Sequence, residues 1–150
     1  MWVYQEKLIN NIEDLGESIP FGFIYIITHI PTGKKYLGKK QIYYSTKTKL
    51  GKKEVAALPK GLGRPQKFKQ VVKESDWKNY YGSNEIIKQL IKEGRQNEFT
   101  REIIHLVYNK KMLSYLEIKY QFSYGVLENQ DIWMNGNING TYFPTDLIED

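Results

Sequence analysis

The stretch GFIYIITHIPTGKKYLGKKQIYY, residues 22–44, decides the fold. Its first eight residues are rich in β-branched and aromatic side chains, which favour a β-strand. The next segment contains Pro31 and Gly33 and is typical of a turn, and residues 35–44 then resume the strand pattern. The stretch therefore predicts a β-hairpin.

The register of this hairpin determines which side chains share a face of the sheet. If the loop is centred on Thr32 and Gly33, the numbers of opposed residues sum to 65. The pairs that this register predicts on one face are Tyr25 with Lys40, Ile27 with Gly38, and His29 with Tyr36. Two tyrosines on one face can serve chemistry, although tyrosines in strands more often only pack.

Patterns outside the hairpin predict further helices, a strand and a loop. Apolar residues at helical spacing predict a short helix between Tyr4 and Leu15. Residues 45–66 have little periodicity and are typical of a mobile loop, with a helical turn at residues 53–58. The remaining predicted elements are a helix capped by Ser83 and ended by Gly94, a strand at residues 98–108, and a helix capped by Asn109. This order predicts an α+β fold in which a small three-stranded antiparallel sheet is flanked by helices.

The length of 150 residues is typical of one domain. We divide it into an N-terminal helical extension, residues 1–20, and a main domain, residues 21–150, with a basic insertion at about residues 44–75. The longest apolar stretch, residues 21–27, is far shorter than the roughly 20 residues of a membrane span, and the N-terminus has no leader pattern. The absence of cysteine excludes disulfides and thiolate zinc sites. These features predict a cytoplasmic protein without a membrane partner.

Positive charge is concentrated in one part of the chain. Residues 34–73 contain twelve Lys and one Arg against Glu54, whereas the other residues carry a net negative charge. Such a block favours a nucleic-acid partner, and Tyr43, Tyr44 and Phe68 within it could stack on bases. A solvated lysine-rich loop is the alternative. The lysines that we expect to contact nucleic acid are Lys35, Lys39, Lys47, Lys49, Lys52, Lys53 and Lys67.

Several segments in order resemble a known family. GFIY ends at Tyr25 and YLG begins eleven residues later at Tyr36, which is similar to the paired motif of the GIY-YIG nucleases, with Phe23 and Leu37 as departures. YYGSNEIIKQLIKEG followed by EFTREIIHL is similar to a helix and the third strand of free-standing, phage-type members. LEIKYQF and IWMNGNI resemble a later helix and a late asparagine segment. The resemblance spans residues 21–138 and implies a DNA endonuclease, acting in the host-cell cytoplasm if it is phage-encoded.

The resemblance also implies roles for individual residues. Tyr25 would activate the attacking water, Tyr36 would orient water or phosphate, and Glu117 would bind Mg²⁺, with Mn²⁺ as an alternative metal. A metal would explain a carboxylate beside an apolar helix face, although pairing of Glu117 with a neighbouring lysine is the alternative. The functional asparagine of the family is placed at Asn135, with Asn137 as the alternative.

A tyrosine with an ordinary pKa near 10 is a poor base, so Tyr25 needs positive charge nearby to lower its pKa. In the predicted register Lys40 lies across the hairpin from Tyr25, and Lys35 or Lys39 could replace it in another register. His29, on the same face, either helps to polarise water or only packs.

The chain departs from the family at the arginine that clamps the phosphate, because Thr46 occupies the expected position. Arg64 lies in the basic block and could fill the role if residues 45–62 are an insertion. A lysine acting as a point charge is the alternative, and the candidates are Lys40, Lys47 and Lys67.

Two other functions compete with a GIY-YIG endonuclease. Glu117-Ile118-Lys119 also reads as half of a PD-(D/E)xK nuclease site, but it lies in a helical pattern and no aspartate precedes it closely. A catalytically silent nucleic-acid-binding module is the other possibility, since Thr46 could signal a lost site. Sequence recognition could come from a homodimer or from a larger protein that binds this chain.

Overall fold

A computed structural model describes residues 1–58 and 66–148. The strands of these residues are β1 (Trp2–Tyr4), β2 (Lys7–Ile9), β3 (Gly22–His29), β4 (Lys35–Gln41), β5 (Tyr43–Lys49), β6 (Phe68–Glu74) and β7 (Phe99–Val107). The α-helices of the same residues are α1 (Lys52–Ala57), α2 (Glu85–Lys92) and α3 (Lys110–Ser123). Short 3₁₀ helices occur at Ile12–Leu15, Trp77–Asn79, Gln96–Glu98 and Pro144–Leu147.

The main sheet has the strand order β2-β1-β7-β3-β4 within the described residues. Strands β1 and β7 run parallel, and the other neighbours are antiparallel. The α+β class is therefore confirmed, but the prediction of a three-stranded antiparallel sheet is wrong, because the sheet is five-stranded and mixed. The three predicted strands correspond to β3, β4 and β7, and the N-terminal residues supply β1 and β2.

The N-terminal segment is part of this sheet. The helix predicted between Tyr4 and Leu15 is wrong, because the segment forms the β1–β2 hairpin followed by a single 3₁₀ turn. Trp2 is fully buried against Phe23, with 4.9 Å between ring centroids, and its indole nitrogen donates to the carbonyl of Trp77 at 2.6 Å. These contacts lie far from Trp2 in sequence, so helical spacing within the segment carried no information about them.

The predicted β3–β4 hairpin is confirmed, with a different register. Opposed residue numbers sum to 63, so Tyr25 lies opposite Gly38, Ile27 opposite Tyr36, and Phe23 opposite Lys40. The loop contains four residues between His29 and Lys34, whose backbones are hydrogen-bonded at 2.8 Å. Because the shift is two residues, every side chain keeps its predicted face, and only its partner changes.

The two faces of the sheet carry separate cores. Phe23, Tyr25 and Ile27 point to the face on which Trp77 and the α2 residue Ile87 pack. The other face is covered by α3 and the segment that follows it. The buried residues of this second cluster are Ile24, Leu37, Val107, Leu113, Leu116, Val126, Leu127, Trp133 and Ile138. Residues of the two cores can therefore meet only at an edge of the sheet.

Helices α2 and α3 were predicted from their caps. Asn109 caps α3 by accepting from the amide of Met112 at 2.9 Å, as predicted. For α2 the cap is Asn84 rather than Ser83, since the Asn84 side chain accepts from the amides of Ile86 and Ile87. Gly94 follows α2 with φ of +79°, a left-handed conformation that favours glycine and ends the helix.

Strands β5 and β6 of the basic block form a two-stranded ribbon, so the loop predicted for residues 45–66 is wrong at residues 45–49. Strands β5 and β6 pair antiparallel from Tyr43–Glu74 to Lys49–Phe68, and α1 confirms the predicted helical turn. The ribbon begins at Ile42, which is fully buried, and the Ile42 carbonyl accepts from the amide of Ser75 at 2.7 Å. Alternating lysine and threonine gave no apolar period from which these strands could be predicted.

No helix in the part of the chain that the structure describes is long and apolar enough to cross a membrane.

The burial of Trp2 in the N-terminal hairpin predicts how its substitution changes the free energy of unfolding. Trp2→Ala should lower the free energy of unfolding by about 3 kcal/mol, because it removes a buried indole and leaves a cavity between the sheet and Trp77. Leu8→Ala on β2 is the matched control, since Leu8 is 58% exposed, and should change stability by less than about 0.5 kcal/mol. Urea unfolding measures both. Equal stability of the two variants would mean that the hairpin is a detachable extension.

Candidate active site

Tyr25 lies on β3, next to the edge strand β4, and its hydroxyl lies over that strand. A side chain at Gly38 would place its Cβ 2.5 Å from the Tyr25 hydroxyl oxygen, so the tyrosine occupies the space above a glycine. Gly82 approaches from the other side, where a Cβ would lie 3.3 Å from the same oxygen. Its φ of +87° also favours glycine. Two glycines thus create the slot that holds this hydroxyl.

Tyr36 lies beside Tyr25 on the same face, as the parity of the hairpin predicted. The two ring centroids are 6.4 Å apart. The Tyr36 hydroxyl is hydrogen-bonded to the Ser83 hydroxyl at 3.0 Å. Because Asn84 caps α2, Ser83 remains free for this bond, which fixes the Tyr36 ring at the edge of the sheet.

Glu117 reaches the same edge from α3, on the opposite side of the sheet. Its side chain is 22% exposed, and its nearest described cation is Lys39, with Nζ 4.0 Å from Oε1. Burial raises the pKa of Glu117, although Lys39 counteracts this shift through its charge and its backbone. The negative charge of Glu117 in turn acts on both tyrosines and favours their neutral forms. The sequence therefore identified three residues that the fold brings together.

The pKa of Tyr25 is raised well above its ordinary value, not lowered. Burial is the main cause, and the neighbouring Tyr80, Tyr36 and Glu117 add to it. The prediction that Lys40 lies opposite Tyr25 is wrong, because that position is occupied by Gly38. The ammonium of Lys40 instead forms an ion pair with Asp76 at 2.6 Å.

The register also determines where Lys35 and Lys39, the alternatives to Lys40, lie. Lys35 and Lys39 point to the α3 face of the sheet, opposite Thr28 and Ile24 respectively. Lys39 donates to the hydroxyl of Ser114 at 3.0 Å, in addition to its contact with Glu117. Lys39 therefore contributes its positive charge on the Glu117 side of the sheet.

Tyr80 is a site residue that the sequence did not single out. Its ring meets that of Tyr25 edge to face, with centroids 6.0 Å apart, and the Lys40 ammonium lies 4.0 Å from the centre of the Tyr80 ring. Arg101, buried on β7, donates to the carbonyls of Lys78 and Tyr80 at 3.0 and 2.9 Å. It thereby holds the loop that carries Tyr80. Only tertiary contacts connect these residues, so no local pattern could have indicated them.

Asn135 is almost fully buried and holds the edge strand. Its side-chain oxygen accepts from the amide of Leu37 at 3.0 Å, and its nitrogen donates to the Leu37 carbonyl at 2.8 Å. Gln121 on α3 donates to the same carbonyl at 3.2 Å. Both polar atoms of the Asn135 side-chain amide are thus hydrogen-bonded to the backbone of Leu37, the residue before Gly38. Asn137 accepts from the amide of Gly140 within its own turn.

The two histidines lie outside the tyrosine cluster. Both ring nitrogens of His29 have partners, the Thr32 hydroxyl at 2.8 Å and the Glu98 carboxylate at 3.0 Å. His29 also stands four residues from Tyr25 along β3, which corresponds to about 13 Å. His105 is hydrogen-bonded to the hydroxyl of Tyr120 at 2.8 Å, in agreement with a structural role.

The predicted DNA-contacting lysines fall into two groups. Lys35 and Lys39 lie on β4, and the others lie on or beside the ribbon, where all are exposed. That second group is Lys47, Lys49, Lys52, Lys53 and Lys67. Thr46, at the position where the family carries arginine, is on β5, and its hydroxyl has no hydrogen-bond partner among the described residues. Arg64 lies outside the described residues.

The donor set at the sheet edge fits a hard cation held by one protein carboxylate. Residues 1–58 and 66–148 contain no group of three or more His, Cys, Asp or Glu side chains arranged to bind a metal. Mg²⁺ keeps several waters and is commonly bound by one or two carboxylates together with phosphate oxygens. A half-buried Glu117 with a raised pKa is consistent with that chemistry, because a cation would stabilise the charged form. The competing E-x-K triplet, Glu117 to Lys119, lies on a helix rather than a strand.

The fold is an α+β domain built on a mixed sheet, and a sequence comparison gives its family. Residues 2–138 match the family model "Putative endonuclease segE, GIY-YIG domain". The chain therefore belongs to the GIY-YIG endonuclease family, in its phage-type branch. Comparison with curated proteins and with solved structures returned no match.

The close approach of the Tyr25 hydroxyl to Gly38 predicts how a substitution of this glycine changes stability. Gly38→Ala should destabilise the protein by about 2 kcal/mol, because the new methyl group would collide with the Tyr25 hydroxyl and displace the ring. Gly136→Ala is the control, since no atom lies within 4 Å of a Cβ there, and should have an effect below about 0.5 kcal/mol. Urea unfolding and the near-ultraviolet circular dichroism of the tyrosines would measure both. Unchanged spectra for Gly38→Ala would refute the slot.

The raised pKa of Glu117 makes a prediction about stability and pH. A carboxyl with a raised pKa in the folded state contributes stability at acidic pH and loses it as pH rises through that pKa. Glu117→Gln should therefore be more stable than the parent at pH 7 without divalent ions, by on the order of 1 kcal/mol. The difference should vanish toward pH 4. Glu102→Gln, at an exposed position on β7, should show no such dependence in the same thermal unfolding series.

Proposed function

We propose that this chain is a metal-dependent DNA endonuclease that hydrolyses phosphodiester bonds. Family membership supports a nuclease acting on DNA. The observation that carries the finer proposal is the convergence of the Tyr25 hydroxyl, Tyr36 and Glu117 at strand β4. The Tyr36 hydroxyl and the Glu117 carboxylate, with Lys39 beside the carboxylate, are the partly exposed groups that a phosphate would reach first, whereas Tyr25 is only 1% exposed.

Glu117 is the residue that would hold the metal. A bound Mg²⁺ would neutralise charge that develops on the phosphate oxygens and would help the 3′ oxygen to leave. The half-buried position of Glu117 supports this role, because a carboxylate with only a 4.0 Å contact to Lys39 is poorly compensated by the protein itself. Mn²⁺ has the same preference for oxygen ligands and is the alternative.

Tyr25 would act as the general base toward the attacking water. It can accept a proton only after losing its own, and burial together with the charge of Glu117 opposes that loss. Compensating the charge of Glu117 removes one of the causes that raise the pKa of Tyr25. Tyr36, held by Ser83, would orient water or a phosphate oxygen through its hydroxyl. Tyr80 and Lys40 lie behind Tyr25 and would keep its ring in place.

The DNA surface would comprise the β4 edge and the ribbon. Lys39 lies beside Glu117, and the exposed lysines of the ribbon and α1 extend the positive surface away from the site. Each phosphate contact would release counterions, so binding should weaken steeply with salt. Arg64 remains our candidate for the phosphate clamp. A second copy of the chain or a larger protein could supply further sequence recognition.

A silent nucleic-acid-binding module is the second candidate. The observation that favours it is the strongly raised pKa of Tyr25, since no described lysine lowers that pKa. A tyrosine that stays neutral would pack and bind without abstracting a proton. Cleavage assays separate the two candidates directly.

The test is nicking of supercoiled plasmid with and without Mg²⁺. The parent should cut only with the metal, and Glu117→Gln should lose cutting while retaining most DNA affinity, which comes from the lysines. Tyr25→Phe should lower the single-turnover rate by about a hundredfold or more, the scale of losing a general base. Glu102→Gln and Tyr142→Phe are the matched controls, because both residues are exposed.

The pH dependence adds a signature of the base. While Tyr25 remains mostly protonated, the rate should rise about tenfold per pH unit between pH 6 and 9, because the unprotonated fraction rises by that factor. Tyr25→Phe should lose this slope. If the parent does not nick in Mg²⁺ or Mn²⁺, the silent module is correct. A folded Tyr25→Phe variant that cuts at the parental rate would show that Tyr25 only packs.

A further inference from the structure

The β5–β6 ribbon presents two faces of different character. Its strands pair without a register shift over seven residue pairs, so side chains alternate strictly between the faces. Eight residues share one parity, and we define the open face by six of them, leaving out Tyr43, which is partly buried, and its partner Glu74. These six residues are Ser45, Lys47, Lys49, Phe68, Gln70 and Val72, and all are exposed.

The opposite face is partly covered. Its central residues Thr46, Lys69 and Val71 are all partly buried. Lys69 donates to the carboxylate of Glu54 on α1 at 2.7 Å, so α1 lies on this side of the ribbon. The difference leaves the open face available to a partner at residues 45–49 and 68–72.

The partner suggested by charge is a polyanion. Residues 43–58 and 66–74 contain seven lysines against Glu54 and Glu74. Glu54 is paired with Lys69, and Glu74 accepts from the indole nitrogen of Trp77 at 2.7 Å. Most of the lysine charge is therefore uncompensated, and a two-stranded ribbon has the width to enter the major groove of DNA.

The middle of the open face carries side chains that can distinguish bases. Lys47 and Gln70 lie directly opposite each other, and Ser45 lies opposite Val72. Lysine binds the guanine O6 and N7 acceptors, and glutamine can form two hydrogen bonds with adenine. An apolar side chain such as valine contacts the methyl group of thymine. Phosphate contacts alone would not require a glutamine and a valine on the exposed face.

The root of the ribbon fixes its position relative to Tyr25 and Glu117. Ile42 is buried, the Ser75 amide donates to its carbonyl at 2.7 Å, and the Ser75 hydroxyl donates to the Gln41 carbonyl at 2.6 Å. From Gly38 to Lys47 the chain advances nine residues, at most about 30 Å at 3.3 Å per residue. This span is shorter than one turn of B-DNA, about 34 Å.

We propose that the open face of the ribbon reads base edges in the DNA major groove, with Lys47 and Gln70 as the specificity-determining pair. Bases would be read within one helical turn of the cut. The inference rests on the proposed function, because it assigns sequence recognition to the same DNA complex. It differs from that function in depending on groove contacts rather than on catalysis.

The test is selection of bound sequences from a randomised linear duplex by the full chain in EDTA, so that cleavage plays no part. The parent should enrich a short motif, with a preference of at least about fivefold at the positions read by the ribbon. Lys47→Ala with Gln70→Ala should abolish that preference. Thr48→Ala with Lys73→Ala is the matched control, because it removes one lysine and one polar side chain from the opposite face, and it should retain the motif.

A second variant distinguishes loss of base recognition from loss of folding. Gln70→Arg should replace adenine by guanine at one position of the motif, because arginine binds guanine through two hydrogen bonds. A variant that is only misfolded cannot produce a new preference. The proposal is overturned if the parent enriches no motif, or if the open-face and control variants change the motif equally. Plasmid nicking in Mg²⁺, measured separately, reports on the proposed function, so the two failures are distinguishable.

Discussion

The close approach of the Tyr25 hydroxyl to Gly38 is the constraint on which the site depends. With only hydrogen on that side of the Cα atom, β4 can pass under the ring, and the hydroxyl reaches the edge of the sheet while 99% of the residue remains covered. The glycine has a cost, because it weakens an edge strand. Asn135 and Gln121 offset this weakness by forming hydrogen bonds to the peptide group of Leu37, immediately before the glycine. Asn135 thus contributes to the position of the Tyr25 hydroxyl, although the two are not hydrogen-bonded to each other.

The same arrangement places two acidic groups where their charged forms are unfavourable. Burial raises the pKa of both Tyr25 and Glu117, and each negative charge would oppose the other. A protein selected only for stability would replace the carboxylate by a neutral side chain. Retaining it at the meeting point of two separate cores is consistent with a site that binds a cation and acts on phosphate.

Sequence patterns predicted the parts of this structure that depend on local order. The hairpin, the placement of both tyrosines on one face and the cap of α3 follow from spacing over a few residues, whereas Glu117 was indicated by the family resemblance. The register was two residues off because the turn is centred one residue earlier than assumed. The N-terminal strands contain three residues each and depend on burial of Trp2 under Trp77, a contact across 75 positions. Tyr80 and Arg101 are connected to the site only through tertiary structure, so periodicity could not reveal them.

The ribbon extends the strand that supplies the site. Strand β4 contributes Gly38, ends at Gln41, and continues after one buried residue as β5. The chain leaves the ribbon at Ser75, which is hydrogen-bonded to Gln41 and Ile42. The two ends of the ribbon therefore lie side by side. A segment with adjacent ends can change in length or side chains without altering the sheet beneath it. The edge strand β4 and the basic ribbon can therefore vary independently in sequence, while Ile42 and Trp77 keep them in a constant spatial relation.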